Sequence, residues 1–303
     1  MNSGHLAIVG CGDIGTRVGK QLMGAGWRVS AIRRSAHQLP TEFDCFAGDY
    51  TNVADLIPLV AQGPTHLLFT PLPMGRDVSG YERGFLGGVS AMADAGLLKQ
   101  VSYGVMVSST RVYAESAGGW VDETSPLTHE DASARAIIRA EHLWHTSLSC
   151  ATAARASGLY GELPGMLLSR VAAGRASPDP TRFSNRIHRD DVASALVFLL
   201  TQSLSVPPPP TVVLTDNEPT PMGNVESWLA DTLGVNLAPD HSLRSGARGN
   251  RRCSNRLLRS LGFTLRYPSY QDGYRAMLSQ REAHAQREAH AQREAHAQRN
   301  GHE

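Results

Sequence analysis

The sequence predicts an α/β protein built on a doubly wound parallel β-sheet, with a smaller C-terminal region. Three observations predict it. In the first half, short apolar runs alternate with amphipathic stretches. A glycine-rich turn, Gly10-Cys11-Gly12-Asp13-Ile14-Gly15, joins the first such run to the first amphipathic stretch. The 303 residues are 41% hydrophobic and 19% charged, which suits one large domain or two coupled ones.

The elements follow in order. HLAIVG (5–10) reads as a buried strand, and 13–26 as a helix with Ile14, Val18 and Leu22 on one stripe and Gly26 at its end. WRVSAI (27–32), FDCFAG (43–48) and THLLFT (65–70) are the next strands. A helix is expected over 80–96, a fifth strand at VSYGVMVSS (101–109), a helix near 130–147 and a sixth strand at CATAARAS (150–157). Strand and helix in this alternation imply right-handed crossovers and parallel pairing. Later, RDDVASALVFLL (189–200) reads as an apolar helix capped by Asp190 or Asp191. SVPPPP (205–210) reads as a stiff linker, TVVLTD (211–216) as a late strand and 225–234 as a helix closed by Gly234.

The C-terminal residues repeat QREAHA from 280. Their residues favour helix, but a period of six turns each copy by roughly 240°, so no apolar seam builds up. The histidines of the repeat (His284, His290, His296, His302) are scattered for the same reason, and a solvated, partly helical tail is expected. The expected organisation is 1–160 as a dinucleotide-binding domain, 161–278 as mainly a substrate-binding region with some strands returning to the sheet, and 279–303 as the tail.

Several classes are disfavoured. A net charge of +1 leaves no electrostatic footprint for nucleic acid, and no apolar run is long enough to span a bilayer. MNSGHLAIVG lacks the pattern of an export signal, so a cytoplasmic protein is expected. Cys11, Cys45, Cys150 and Cys253 form no CxxC pair, and no metal site is expected.

The glycine turn carries the clearest chemistry. Gly10 permits a tight turn, Gly12 lets backbone approach a pyrophosphate, and Gly15 lets the helix pack on the sheet. The helix N-terminus, with Asp13 and Ile14 in its first turn, offers free N–H groups to phosphates. This is the Rossmann-type arrangement. An NAD site would place Asp or Glu at the end of the second strand, on the ribose 2′-hydroxyl. This chain has Arg33 and Arg34 there. Guanidinium groups match a 2′-phosphate with paired donors, so NADP is expected over NAD. The competing reading is that these arginines cap a surface loop.

Six phrases in order, VGCGDIG (9–15), GDYTN (48–52), SSTRVYAE (108–115), WVDETSP (120–126), RASGLYG (155–161) and RIHRDDVASAL (186–196), resemble the extended short-chain dehydrogenase/reductases. The chain looks like their NAD(P)-dependent epimerase/dehydratase group, including atypical members, over about residues 5–278. The resemblance implies that Asp49 and Tyr50 lie beside the adenine, and that Thr70, Pro71 and Leu72 line the cofactor. It places Ser108 near the nicotinamide and matches Ser109 to the catalytic Ser/Thr. Residues 157–160 would close over the nicotinamide, and a small-molecule substrate would sit in the second region. Many relatives dimerise through paired helices, so the resemblance implies a homodimer through helices around 80–96 and 130–147. Tyr113 is a second candidate acid, although a tyrosine after a strand more often packs.

One motif is missing. The family carries Tyr-x-x-x-Lys at the start of the helix after the fifth strand, where one turn of spacing puts both groups on one face. The corresponding residues here are Ser133 and Ile137. No tyrosine lies between Tyr113 and Tyr160, and the only two lysines are Lys20 and Lys99, so no shift of alignment restores the pair. Ser109, Tyr113, Tyr160 or His188 could replace the acid, and Arg135 or Arg139 the charge. Three readings follow. The first is an NADP-dependent oxidoreductase or epimerase acting on a hydroxyl or carbonyl of a small polar substrate. The second is an NADP(H)-binding sensor or regulator without turnover. The third is a scaffold that kept only the fold.

Overall fold

The computed structural model describes residues 4–202, 207–242 and 249–300. Seven strands form one sheet: β1 (His5–Val9), β2 (Arg28–Arg33), β3 (Asp44–Ala47), β4 (His66–Phe69), β5 (Tyr103–Ser109), β6 (Ala151–Ala156) and β7 (Thr211–Leu214). Their order is β7-β6-β5-β4-β1-β2-β3, and every neighbouring pair is parallel. The strand order reverses between β1 and β4, which is where a doubly wound sheet opens a crevice at its carboxyl edge.

Both faces of the sheet are covered, so the strands read as unbroken apolar runs. Leu6 and Ile8 of β1 enter one core, while Ala7 and Val9 enter the other. The first core packs α1 (Asp13–Gly24) beside a helix over Arg189–Gln202. The second packs α2 (Val53–Val60), the helical stretch 78–94 (α3) and α4 (Ala132–Ser147). Within α3, Glu82–Gly87 has π-type winding. The Arg189–Gln202 helix of the first core is α6; a third, smaller core joins α5 (Met166–Ala172), α7 (Met222–Leu233) and the start of α8 (Tyr270–Asn300) around Tyr160, Leu229 and Tyr274.

Three local features complete the fold. Neither Asp190 nor Asp191 caps α6. Its N-terminus is held by His188, whose Nδ1 accepts the Asp190 N–H at 3.2 Å. Asp191 instead accepts the backbone N–H groups of Arg266 and Tyr267, tying a later loop to the helix. The late strand β7 joins the main sheet, beside β6. The repeat continues α8 without a break as far as Asn300. The side chains of His284, His290 and His296, all of His302, and the first part of the proline-rich linker (205–206) lie outside the described residues.

Candidate functional site

The three glycines of the first turn do three different things. Gly10 has φ 76°, and a Cβ there would lie 2.9 Å from the Thr70 carbonyl oxygen, so only glycine fits. A Cβ on Gly15 would lie 2.9 Å from Ile8 Cγ2, which is how α1 comes close to β1. Gly12 is different: its Cβ would meet only the Gly10 carbonyl oxygen, 4.0 Å away. The protein leaves that space open. Gly12 begins α1 without a side-chain cap, and among the described residues the Gly12, Asp13 and Ile14 N–H groups have no acceptor. Open space in front of unsatisfied donors at a helix N-terminus fits a phosphate group.

Asp13 carries negative charge at that helix end, and two arginines balance it. Arg17 Nε reaches both of its oxygens, at 3.1 and 3.0 Å, and Arg189 Nη1 lies 3.1 Å away. Ile14 is half-buried and packs on the first core.

The loop after β4 closes on the glycine turn. Thr70 Oγ1 donates to the Gly10 carbonyl at 2.7 Å. The Tyr50 ring lies near Gly10, packs edge-on against Phe69 at 5.4 Å, and sends its hydroxyl to the Leu72 carbonyl at 3.3 Å. Gly10, Tyr50, Thr70 and Leu72 are therefore gathered in one place, with Pro71 buried between them. Asp49 is less involved: its Oδ1 accepts from Thr51 N and Oγ1, at 3.0 and 2.8 Å, and so serves its own turn. Arg33 is half-buried and Arg34 exposed, and among the described residues neither guanidinium has a carboxylate partner.

At the end of β5 the two serines part. Adjacent strand residues point to opposite faces. Ser109 stays partly exposed, and its Oγ accepts the Arg111 N–H at 3.2 Å. Ser108 departs from the expectation of a place beside the nicotinamide. It is buried and donates to Glu141 of α4 at 2.5 Å. Glu141 in turn takes two bonds from buried Arg155, at 3.1 and 2.7 Å. Tyr113 also departs from a catalytic placement. It is 1% exposed, lies beneath the Arg155 guanidinium at 5.1 Å, and among the described residues its hydroxyl has no hydrogen-bond partner. Burial pushes its pKa up to about 12.

The other stand-ins are also occupied. His188 is buried and serves as the α6 cap, and burial lowers its pKa to about 4. Tyr160 is buried with its hydroxyl toward the Ser269 carbonyl. Arg135 donates to the His129 carbonyl, and Arg139 pairs with Glu82. Ser133 is buried near the start of α4, and Ile137 is 1% exposed within the second core. Asp131 caps α4, accepting from Ser133 N and Ala134 N at 2.9 and 3.1 Å, and holds Arg111 with both oxygens.

One acidic residue escaped sequence reasoning. Asp216, two residues beyond β7, is 1% exposed, and among the described residues its Oδ2 has no hydrogen-bond partner. Burial raises its pKa to about 8, with Arg186 nearby opposing the shift. Nothing in TVVLTD distinguishes it from a turn residue. Among the described residues no group of three His, Cys, Asp or Glu could hold a metal ion, and no helix is long and apolar enough to cross a membrane.

The fold has solved counterparts. A Methylobacillus flagellatus protein, provisionally described as an NAD-dependent epimerase/dehydratase, is 28% identical. It superposes with a TM-score of 0.75 over 93% of this chain and 100% of its own. The UDP-glucose 4-epimerase of Brucella ovis in complex with NAD is 21% identical, with a TM-score of 0.73 over 89% and 96% of the two chains, and shares the fold. In fold the chain is similar to the extended short-chain dehydrogenase/reductases of the epimerase/dehydratase group, and its sequence lacks the Tyr-x-x-x-Lys pair. Among known proteins it is similar to Protein YeeZ of Escherichia coli K12, 29% identical over 205 residues, which cover 64% of this chain and 72% of that one. No family model matches the sequence.

Proposed function

We propose that this protein binds a nicotinamide dinucleotide, NADP(H) in preference to NAD(H), and acts as an oxidoreductase or epimerase on a hydroxyl or carbonyl of a small polar substrate. The observation that carries the reading is the open space at Gly12 in front of unsatisfied helix N–H groups. Gly12, Asp13 and Ile14 would hold the pyrophosphate through their backbone. Tyr50, Thr70, Pro71 and Leu72 would line the nucleotide beyond it. The likeness to a protein described as NAD-dependent supports a nicotinamide cofactor. The preference for NADP rests on Arg33 and Arg34 at the end of β2, two guanidinium groups that have no carboxylate partner among the described residues. A bound nicotinamide supplies hydride chemistry, and the chain's task is to orient the substrate, exclude water and move a proton. Residues 161–278 are proposed to supply the substrate pocket.

A second reading is favoured by Ser133 and Ile137: an NADP(H)-binding sensor without turnover. Both readings require nucleotide binding, so that is tested first. Titration of the purified protein with NADPH, NADP, NADH and NAD should give tighter binding of the phosphorylated pair. In Arg33→Asp/Arg34→Ala the preference should shift toward NADH and NAD. An unchanged ratio would show that the arginines do not read the 2′-phosphate.

A further inference from the structure

At the carboxyl ends of β4 and β5, a tyrosine from another helix meets an arginine. The loop after β4 runs into α3 and is bound to it, with Met74 N–H donating to the Gly80 carbonyl and Arg83 Nη2 to the Met74 carbonyl, each at 2.9 Å. Tyr81 follows directly. Its ring stacks on Phe85, with centroids 6.0 Å apart, and its hydroxyl accepts from Arg111 Nη1 at 2.9 Å. Arg111 is two residues beyond Ser109, and its backbone N–H is the one bonded to Ser109 Oγ. The rest of its guanidinium lies on Asp131, with Nε at 2.6 Å and Nη2 at 3.0 Å. Asp131 caps α4 two residues before Ser133. A phenol, a fixed cation and Ser109 are thus assembled around the helix end from which the usual pair is missing.

We infer that Tyr81, held by Arg111, is the proton donor of this protein's active site. The inference rests on the dinucleotide-binding reading above. The Tyr81 oxygen accepts from Arg111, and among the described residues its own proton has no acceptor. Arg111 cannot give up a proton at neutral pH, so it acts only as the charge that the lysine would supply. Beside the phenol, that charge stabilises the oxygen when the proton leaves. Asp131 holds the guanidinium in place and is a positioning residue.

The step balances in the direction of reduction. A bound dihydronicotinamide would supply the hydride to the carbonyl carbon, and the carbonyl π pair would become an O–H bond by taking the Tyr81 proton. Water then returns a proton to the phenolate. Ser109 Oγ, which accepts the Arg111 N–H, keeps its own proton and would donate it to the same carbonyl oxygen. The other tyrosines considered for this role, Tyr113 and Tyr160, have buried side chains.

The test uses the full chain and three variants: Tyr81→Phe, Arg111→Met and Arg111→Lys. Unfolding midpoints and NADPH titrations come first, followed by NADPH oxidation with 4-nitrobenzaldehyde and 9,10-phenanthrenequinone. The infrared carbonyl band of 4-nitrobenzaldehyde is then recorded on the NADP-loaded protein, where no turnover occurs. In Tyr81→Phe, NADPH affinity should stay within about twofold while kcat falls roughly a hundredfold with little change in KM. Arg111→Met should fall similarly, and Arg111→Lys should recover part of the loss. The carbonyl band should lie at lower wavenumber on the native protein and lose that shift in Tyr81→Phe. Native kcat and an unchanged band in Tyr81→Phe would overturn the assignment. So would bound NADPH that neither probe oxidises. Failure of the native protein to bind NADPH would instead overturn the dinucleotide reading itself.

Discussion

Gly12 separates nucleotide binding from folding. Its φ of −95° is open to any residue, and a Cβ there meets no atom beyond its chain neighbours closer than the Gly10 carbonyl oxygen at 4.0 Å. Gly12→Val should therefore leave the unfolding midpoint of the free protein nearly unchanged while abolishing NADPH binding. A thermal melt with and without nucleotide reads both effects, and retained affinity would remove the pyrophosphate from this turn. Asp216 gives a second prediction at this scale. Burial raises its folded pKa from 3.8 to about 8, so the folded state holds a proton that the unfolded state releases above its own pKa. Its contribution is fully present below pH 3.8 and is lost as pH rises toward 8. Asp216→Asn should flatten that decline in urea unfolding between pH 5 and 8. His188 has the opposite sign. Its folded pKa is lowered by burial from 6.5 to about 4, so its contribution is present above pH 6.5 and is lost as pH falls through that window. The glycine roles were legible in the sequence because each follows from position within one turn. The isolation of Asp216 Oδ2 was not, because it depends on what packs around it.

Among the elements, α4 shows why the usual pair cannot simply be put back. Asp131 supplies its cap, Trp144 is fully buried, and Ile137 faces the second core. A lysine at 137 would carry its ammonium into an apolar interior unless the side chain escaped. Ile137→Lys should destabilise the protein by about 3–5 kcal/mol, measured by urea unfolding, and should restore no activity even with Ser133→Tyr. A stable, active double variant would show that the helix can turn this face toward the cleft. The helix itself was legible from its acidic start and apolar centre. Its rotation was not, because the burial of Ile137 is set by packing against the sheet and α3. The start of α6 teaches the same lesson: two aspartates suggested a cap, but His188 holds the helix end and Asp191 ties down the 266–267 loop.

For the whole molecule, the dinucleotide would seat where the strand order reverses, between β1 and β4. A ligand that binds only the folded state stabilises it by about 2.7 kcal/mol at a hundredfold excess over its Kd. At this chain length that corresponds to a rise in Tm of about 5 °C. Scanning calorimetry with NADPH should show a rise of that order. No rise with any of the four nucleotides would argue for the scaffold reading.

The sequence alone determined the seven strands, their alternation with helices, the glycine turn and the absence of Tyr-x-x-x-Lys. Each is a local pattern: apolar period, turn chemistry or the presence of a residue type. Only the tertiary structure decided that Ser108 faces Glu141 while Ser109 stays partly exposed, and that Tyr113 is buried. It also brought Tyr81 to Arg111, 30 residues along the chain. Such a meeting depends on how α3 and α4 pack at the ends of β4 and β5, and no periodicity within either segment encodes it.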